Sequence, residues 1–452
     1  MLSIRPIRKK PQHSLLAFTQ KTFPGYQIAG HHLEIAKALE RVESGKCLRL
    51  MVFMPPRHGK SQLVSIQFPA WFLGRNPDKR VLHASYSSHL SHRFSRLSRN
   101  LVASDGYGEI FPEIRPAKDS RSVEAWDIDG HRGGLISAGV GGSITGFGAD
   151  LVIIDDPVKG VSEAHSECMR EALKDWYRQD LRTRLEDKGR IVICQTRWHE
   201  DDLSGWLLEE AKREGESWEV LHFPALDGDG FALWPEKFSV TELERLRRSI
   251  GSYAWEALYQ GQPLPFGGGS LKRSWFRMSF TEDVPFLRRF VLGVDLAVSA
   301  KTHADYTVAV PLGVDEEGRY WIFRPYRAQA EWPETRKALI HHARSFGVSQ
   351  IGIEKVAFQT AALQELRREP LLGGMTMVEI AADRDKITRC LDWSPLAEQG
   401  RIYLVDDGSG WHEIFLQECE SFPRGRHDDQ VDAVGIAMAT LRQSLRRNLE
   451  FF

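Results

Sequence analysis

Residues 47–54 (CLRLMVFM) form an apolar run of strand length that leads directly into Pro55-Pro56-Arg57-His58-Gly59-Lys60-Ser61 and then into a helical pattern. Strand, loop and helix in that order are the context of a phosphate-binding loop, which commits this part of the chain to an α/β layer. Gly59 lets the backbone approach the phosphates, Lys60 supplies a point charge for the β and γ oxygens, and Ser61 can place its hydroxyl on Mg²⁺. The helix beginning near Ser61 aims its N-terminal dipole at the same anion. Met54 stands where the first glycine of G-x-x-x-x-G-K-[ST] falls, so the pattern is irregular at its start. The competing reading is a basic turn capping a helix.

A second run weighs against that reading. Residues 151–154 (LVII) are apolar and end in Asp155-Asp156-Pro157. Such a run reads as a buried parallel strand, and ligands gather at the carboxyl ends of such strands. Asp155 is placed to hold Mg²⁺ and Asp156 to orient or deprotonate an attacking water, the plainer alternative being a helix cap or turn. A third strand, 190–196, ends in Thr196-Arg197-Trp198-His199, polar residues positioned to sense a γ-phosphate or simply to turn the chain into a helix.

The second half has a different order. Residues 289–295 (RFVLGVD) form an apolar strand ending on Asp295, followed by strand-like stretches 306–314 and 319–328 joined as a hairpin through Asp315-Glu316-Glu317-Gly318. After a helical segment, 333–346, the strand 350–355 (QIGIEK) sets Glu354 among apolar neighbours. Burying an unpaired carboxylate is costly, so acids at the ends of core strands usually bind a cation. The last helix starts at His427-Asp428-Asp429-Gln430-Val431-Asp432, with an apolar stripe through Val431, Val434, Met438 and Leu441. Acids in its first turn also suit simple capping. Strand acid, hairpin, second strand acid and helix acid follow the order of a ribonuclease H-like fold. In that fold Asp295, Glu354 and Asp429 can converge on two Mg²⁺ or Mn²⁺ ions acting on a phosphodiester.

Composition narrows the class. Lys and Arg total 60 against 61 Asp and Glu, so nucleic-acid binding must come from local patches or a ring of subunits, which weighs against a passive, strongly basic coating protein. Hydrophobic residues make up 42% of 452, enough for two cores. The five cysteines show no C-x-x-C pair, which argues against structural zinc and suits a reducing cytoplasm. The start, MLSIRPIRKKPQ, is basic without an apolar signal core, and no transmembrane run is present, so a soluble protein is expected. The segment 262–270 (QPLPFGGGS) marks a boundary. We expect an α/β motor domain over 1–262 with a helical lid near 235–262, a linker over 263–272, a nuclease domain over 273–445 and a short tail.

Six strings in this order resemble the large terminase subunits of tailed bacteriophages: MPPRHGKS, VLHASYSSHLSHRFS (81–95), GVGGSITGFGADLVIIDDPVKG (139–160), QTRWHEDDLSG (195–205), GVDLAVSAKTHADYTV (293–308) and FPRGRHDDQVDA (422–433). The resemblance spans nearly the whole chain. It implies an N-terminal P-loop NTPase of ASCE type with a RecA-like sheet, joined to a ribonuclease H-like endonuclease, the two together packaging double-stranded DNA into a procapsid. It implies that Lys60 and Ser61 form the phosphate loop, Asp155 is the metal-associated acid, Asp156 the catalytic carboxylate, and Thr196 with Arg197 the coupling motif. Arg57 takes a loop position that can sense the γ-phosphate. Asp295, Glu354 and Asp429 align with the nuclease acids, with Asp305 and Asp428 as auxiliary ligands. Asp156 departs from the glutamate of many members by one carbon. ATP with Mg²⁺, two divalent ions in the nuclease site, a portal protein, a small terminase subunit, a five-membered ring and the host cytoplasm are further implications.

Lys386 and Arg389, after the strand 375–381, can meet DNA phosphates, the alternative being an exposed basic helix start. Residues 177–184 read as a solvated helix face. The rivals to the packaging reading are a helicase or repair-type ATPase-nuclease, which would separate strands, and a non-enzymatic capsid adaptor whose acids are structural.

Overall fold

The computed structural model describes residues 10–144, 146–265, 271–297, 306–355, 357–381 and 385–449. The chain divides into two compact units, Met1–Arg247 with Tyr253–Leu264, and Arg248–Ser252 with Pro265–Phe452.

In the first unit eight strands form one sheet: β1 (Arg49–Phe53), β2 (Arg80–Ser85), β3 (Pro116–Arg121), β4 (Ala125–Ile128), β5 (Gly134–Gly139), β6 (Ala149–Asp155), β7 (Leu185–Gln195) and β8 (Glu219–His222). Their order is β3-β4-β5-β2-β6-β7-β1-β8, parallel from β5 to β8, with β4 and β3 antiparallel at one edge. The continuous apolar runs are buried on both faces, as parallel central strands require. Alternation along them divides the core in two. Leu50, Val52, Leu151, Ile153, Val192 and Cys194 pack on one side, and Met51, Phe53, Val152, Ile154, Ile191 and Ile193 on the other. β7 lies between β1 and β6, so the ends of three neighbouring strands carry the phosphate loop, Asp155 and Thr196.

The helix after the phosphate loop opens with a π-helical stretch, Gln62–Gln67, and continues as an α-helix, Phe68–Arg75. Pro69 has no N–H and its ring would strike the carbonyl four residues back, which the wider turn avoids. The segment read as a solvated face at 177–184 is partly core: the π-helical turn Trp176–Leu181 buries Trp176, Tyr177 and Leu181. Charges at 178, 180, 182 and 184 masked its apolar side. The helix Val240–Leu258 is interrupted at Gly251, whose φ is 81°.

The second unit has a mixed sheet of β9 (Arg277–Phe280), β10 (Arg289–Asp295), β11 (Thr307–Val314), β12 (Tyr320–Ile322), β13 (Tyr326–Ala328), β14 (Gln350–Lys355), β15 (Thr376–Ala381) and β16 (Ile402–Asp406). The order is β15-β14-β10-β11-β12-β16-β9, with β13 also on β11. The core β12-β11-β10-β14-β15, antiparallel across the hairpin and parallel beyond β10, is the ribonuclease H-like arrangement. The second hairpin arm is two strands rather than one, because Pro325 lies in the break between β12 and β13.

Gly293 on β10 and Gly352 on β14 are register partners. A Cβ on Gly293 would come within 2.4 Å of the Ala433 carbonyl and the Ala437 nitrogen, and one on Gly352 within 1.8 Å of Thr440 Oγ1. These glycines let the final helix, Asp429–Leu449, lie directly on the sheet.

Candidate functional site

At the carboxyl ends of β1, β6 and β7, Lys60 Nζ lies 2.8 Å from Asp156 Oδ2 and donates to Thr196 Oγ1 at 3.1 Å. Asp156 Oδ1 accepts the Thr196 N–H at 2.8 Å. Asp156 has φ 46°, a left-handed conformation that aspartate tolerates better than most residues and that re-aims its side chain at the loop. Its N–H donates to the Cys194 carbonyl at 2.9 Å, and its own carbonyl accepts the Tyr86 N–H at 3.1 Å. The Lys60 ammonium is buried, which works against its charge, but Asp156 and Asp155 outweigh burial and hold its pKa above the ordinary value. Asp155 is fully enclosed. Burial first and then the Asp156 charge push its carboxyl up to about 6, against the opposing pull of Lys60 and of the Ser65 and Ser61 hydroxyls. Ser65 Oγ donates to Asp155 Oδ2 at 2.7 Å.

Gly59 has φ 92°, and a Cβ there would meet His32 Nε2 at 2.4 Å, so both conformation and space demand glycine. His31 and His32 Nε2 each sit 3.0 Å from the His58 carbonyl. His32 Nδ1 accepts the Ala29 N–H at 3.0 Å, so its Nε2 carries the proton and donates to that carbonyl. The sequence reading missed this brace. Its signal is the adjacent histidine pair in a helix just ahead of β1. Arg57 is exposed, with φ 64°, and its carbonyl accepts from Lys237 Nζ at 2.5 Å. Arg197 does not join Thr196 at the loop. Its Nε donates to Asp202 Oδ2 at 2.6 Å, its guanidinium lies 4.8 Å from the Phe53 ring centroid, and Asp202 caps the next helix through the Gly205 N–H.

In the second unit, register sets Val294 beside Ile353, which places Asp295 and Glu354 side by side at the ends of β10 and β14. The glycine-seated final helix brings Asp429 and Asp432 to the same edge. Burial first, then the charges of Asp432, Asp429 and Glu354, push the Asp295 carboxyl well above the usual range, with Arg389 pulling the other way. Asp432 was not singled out from the sequence, although it is one turn beyond Asp428. Burial raises its carboxyl to about 6 against the opposing Arg389 and Lys386 charges. Arg389 bridges Glu354 and Asp432, the latter at 3.2 Å, while Lys386 Nζ lies 2.7 Å from Asp428 and 3.6 Å from Asp432. Both basic residues reach the carboxylates, Arg389 largely buried and Lys386 half-exposed. His427 Nδ1 is 3.7 Å from Asp429 Oδ2. Glu418, also missed, accepts the Gln430 and Val431 N–H groups at 2.6 and 3.1 Å and the Gln430 side chain at 2.8 Å, capping the helix from a neighbouring one. Asp305 lies outside the described residues. Among the described residues no three His, Cys, Asp or Glu side chains stand ready-set around one metal ion. The crowded hard oxygen donors and the charge repulsion at Asp295 nevertheless suit a divalent oxygen-seeking cation.

Two family models match the chain in the order of its two units. The model for the N-terminal part of the terminase large subunit, T4-like virus type, matches residues 51–278, half of the chain. The chain belongs to the terminase large subunits. The terminase ribonuclease H-like domain model matches residues 292–441. This terminase is a DNA-packaging ATPase joined to a nuclease, and nothing in the matches favours a helicase or repair enzyme. No curated protein sequence matches it. The large terminase of a thermophilic bacteriophage is similar in fold at 13% identity, with 91% of this chain and 98% of that chain covered and a TM-score of 0.55. The same phage protein in complex with ADP gives a TM-score of 0.53 at the same identity and coverage. Among the described residues no helix is long and apolar enough to cross a membrane.

Proposed function

We propose that ATP hydrolysis occurs at Lys60, Asp155, Asp156 and Thr196 in a motor domain over 1–262, and phosphodiester cleavage at Asp295, Glu354 and Asp429 in a domain over 273–445, with 263–272 linking them. The observation that supports the reading is that each compact unit holds one of these groups of side chains within itself.

In the motor, Gly59 and the loop N–H groups receive the ATP phosphates and Lys60 neutralises the β and γ oxygens, with Arg57 at the exposed lip. Ser61 and Asp155 are the residues to hold Mg²⁺. Asp156 orients the attacking water and accepts its proton as the bond from the γ-phosphorus to ADP breaks, so that ADP and phosphate leave. Release of the γ-phosphate frees Lys60 to return to Asp156 and Thr196, and Thr196 passes that change into β7. Arg197 contributes to coupling by fixing Asp202 and the following helix rather than by touching the nucleotide.

In the nuclease, Asp295, Glu354 and Asp429, with Asp428 and Asp305, are the residues to hold two divalent ions. Those ions, Mg²⁺ or Mn²⁺, supply an activated water and stabilise the leaving oxygen when bound. Arg389 and Lys386 keep the mutually repelling carboxylates together, and both are close enough to that edge to meet the scissile strand's phosphates. Family membership supports action on double-stranded DNA. A ring of five on the portal protein, start-site selection by a small terminase subunit, and residence in the host cytoplasm with transient stay at the procapsid portal vertex complete the proposal.

Cleavage of supercoiled plasmid in Mg²⁺ and in Mn²⁺ tests it. Wild type and Lys60→Ala should cut while Asp295→Ala should not, and ATP hydrolysis should show the reverse dependence. Cutting by Asp295→Ala at the wild-type rate would remove the nuclease assignment and leave the motor assignment standing.

A further inference from the structure

One string shared with the family, residues 81–95, supplies no side chain to either cluster. From Lys79 to Ser104 the chain holds five Lys and Arg and no Asp or Glu, against near equality over the whole chain. Most of this segment is the helix Ser88–Val102. Its inner face is serine: Ser91, Ser95 and Ser98 are buried, and their hydroxyls bond the His83 carbonyl at 3.0 Å, the Trp126 indole N–H at 3.2 Å and the Ile66 carbonyl at 3.4 Å. Small, tied side chains seat the helix close to the sheet and fix its rotation. A Cβ on Gly139 of β5 would come within 2.5 Å of the Ser88 nitrogen.

The outer face is polar and carries two cations, Arg93 and Arg96. His89, Arg93, Arg96 and Asn100 are exposed at spacings of four, three and four residues, one stripe of a helix. Among the described residues Arg93 and Arg96 form no ion pair, whereas exposed arginines elsewhere on this unit, such as Arg115, Arg178 and Arg213, do. The stripe spans about 16 Å, the axial length of about five base pairs. No aromatic ring is exposed on this helix; Leu97 is its one exposed large apolar residue at 37%, with Leu90, Phe94 and Leu101 half-buried. Cations at helical spacing on a rigid support meet the needs of a phosphate backbone.

The helix is also wired to the ATP cluster. Ser85, the last residue of β2, is the register partner of Asp155. Tyr86 donates its N–H to the Asp156 carbonyl at 3.1 Å, and Ser87 caps the helix by accepting the Leu90 N–H at 3.3 Å. A shift of Asp156 therefore reaches the basic helix through two residues.

We infer that the exposed face of the Ser88–Val102 helix is the surface by which the motor unit holds the phosphates of duplex DNA, and that the Tyr86–Asp156 contact links this grip to the nucleotide cluster. The inference rests on the packaging reading above and names a site for its DNA.

The test compares full-length wild type, Arg93→Glu/Arg96→Glu and Arg93→Lys/Arg96→Lys. Binding to a nonspecific duplex is measured in EDTA over a range of salt, and ATP hydrolysis in Mg²⁺ with and without that duplex. Losing two phosphate contacts should reduce the slope of log K against log salt by about 2 and weaken binding by on the order of 10–100-fold at 0.1 M salt. DNA stimulation of hydrolysis should fall with it, while hydrolysis without DNA stays at the wild-type level and the lysine pair retains binding. Unchanged affinity and slope in the glutamate pair would overturn the inference. So would loss of DNA-free hydrolysis with binding intact, which would mark these arginines as serving a neighbouring subunit's nucleotide. Lys60→Ala and Asp295→Ala run alongside, so failure of the packaging reading itself would show separately.

Discussion

At the scale of single residues, the two clusters ask opposite things of charge. Lys60 is held by Asp156, so Asp156→Asn, which keeps a residue tolerant of φ 46°, should preserve the fold and lower kcat for ATP by about 10²–10³-fold with little change in KM, read by steady-state hydrolysis. Buried histidines set a pH limit on stability. Burial lowers His32 to about 3, His58 to about 4, with neighbouring cations adding to both, and His83 to about 3 by burial alone. Each binds a proton more readily unfolded, at its ordinary value near 6.5, than folded. The stabilisation from keeping them neutral is therefore complete above about pH 6.5 and lost as pH falls toward 3–4. Each should contribute about 1.4 kcal/mol per pH unit inside that window, and His83→Gln should flatten the fall in unfolding midpoint by one proton's worth. These histidines were visible as letters, but the burial of His32 against the phosphate loop depends on a helix folding under it, and that of His83 on the Ser88–Val102 helix docking over β2.

At the scale of elements, the nuclease edge depends on how closely the final helix sits on its sheet. Gly293→Ala places a methyl against the backbone of Ala433 and Ala437, which no side-chain rotation can relieve. It should cost about 1–3 kcal/mol and abolish plasmid cleavage by lifting Asp429 and Asp432 away, while ATP hydrolysis persists. Glu418 holds the same helix at its start. Glu418→Ala leaves two buried N–H groups unanswered, at about 1–3 kcal/mol each, and should raise the Mn²⁺ concentration needed for half-maximal cleavage. Glu418→Gln, which still accepts from both, should restore most of it. Asp295, Glu354 and Asp429 were legible because each ends or begins an apolar element. Asp432 and Glu418 were not, because a helical residue's facing is settled only when its helix docks. The break at Pro325 and the buried side of Trp176–Leu181 escaped for a related reason: charged neighbours and a continuous apolar pattern concealed a local change of path.

At the scale of the whole molecule, two compact units with separate cores should respond separately to ligands. In scanning calorimetry a slowly hydrolysed ATP analogue at about 100 times its Kd should stabilise one transition by about 2.7 kcal/mol and leave the other in place. Lys60→Ala should remove that shift. A single transition moving as a whole would show that the units unfold together. The near balance of 60 basic and 61 acidic residues says nothing of where a polyanion binds, since a local run free of acids, 79–104, is averaged away in the total. What the sequence alone determined was the order of elements and which residues stand at strand ends, because apolar runs that lead into Lys60 or stop on Asp155, Asp295 or Glu354 are read within a few residues. What only the tertiary structure decided was which distant groups meet there. Thr196 reaches Lys60 while Arg197 turns to Asp202, Asp432 joins Asp295, and His31 and His32 hold His58, because these contacts depend on strand register and helix docking, which are set by packing across the whole sheet.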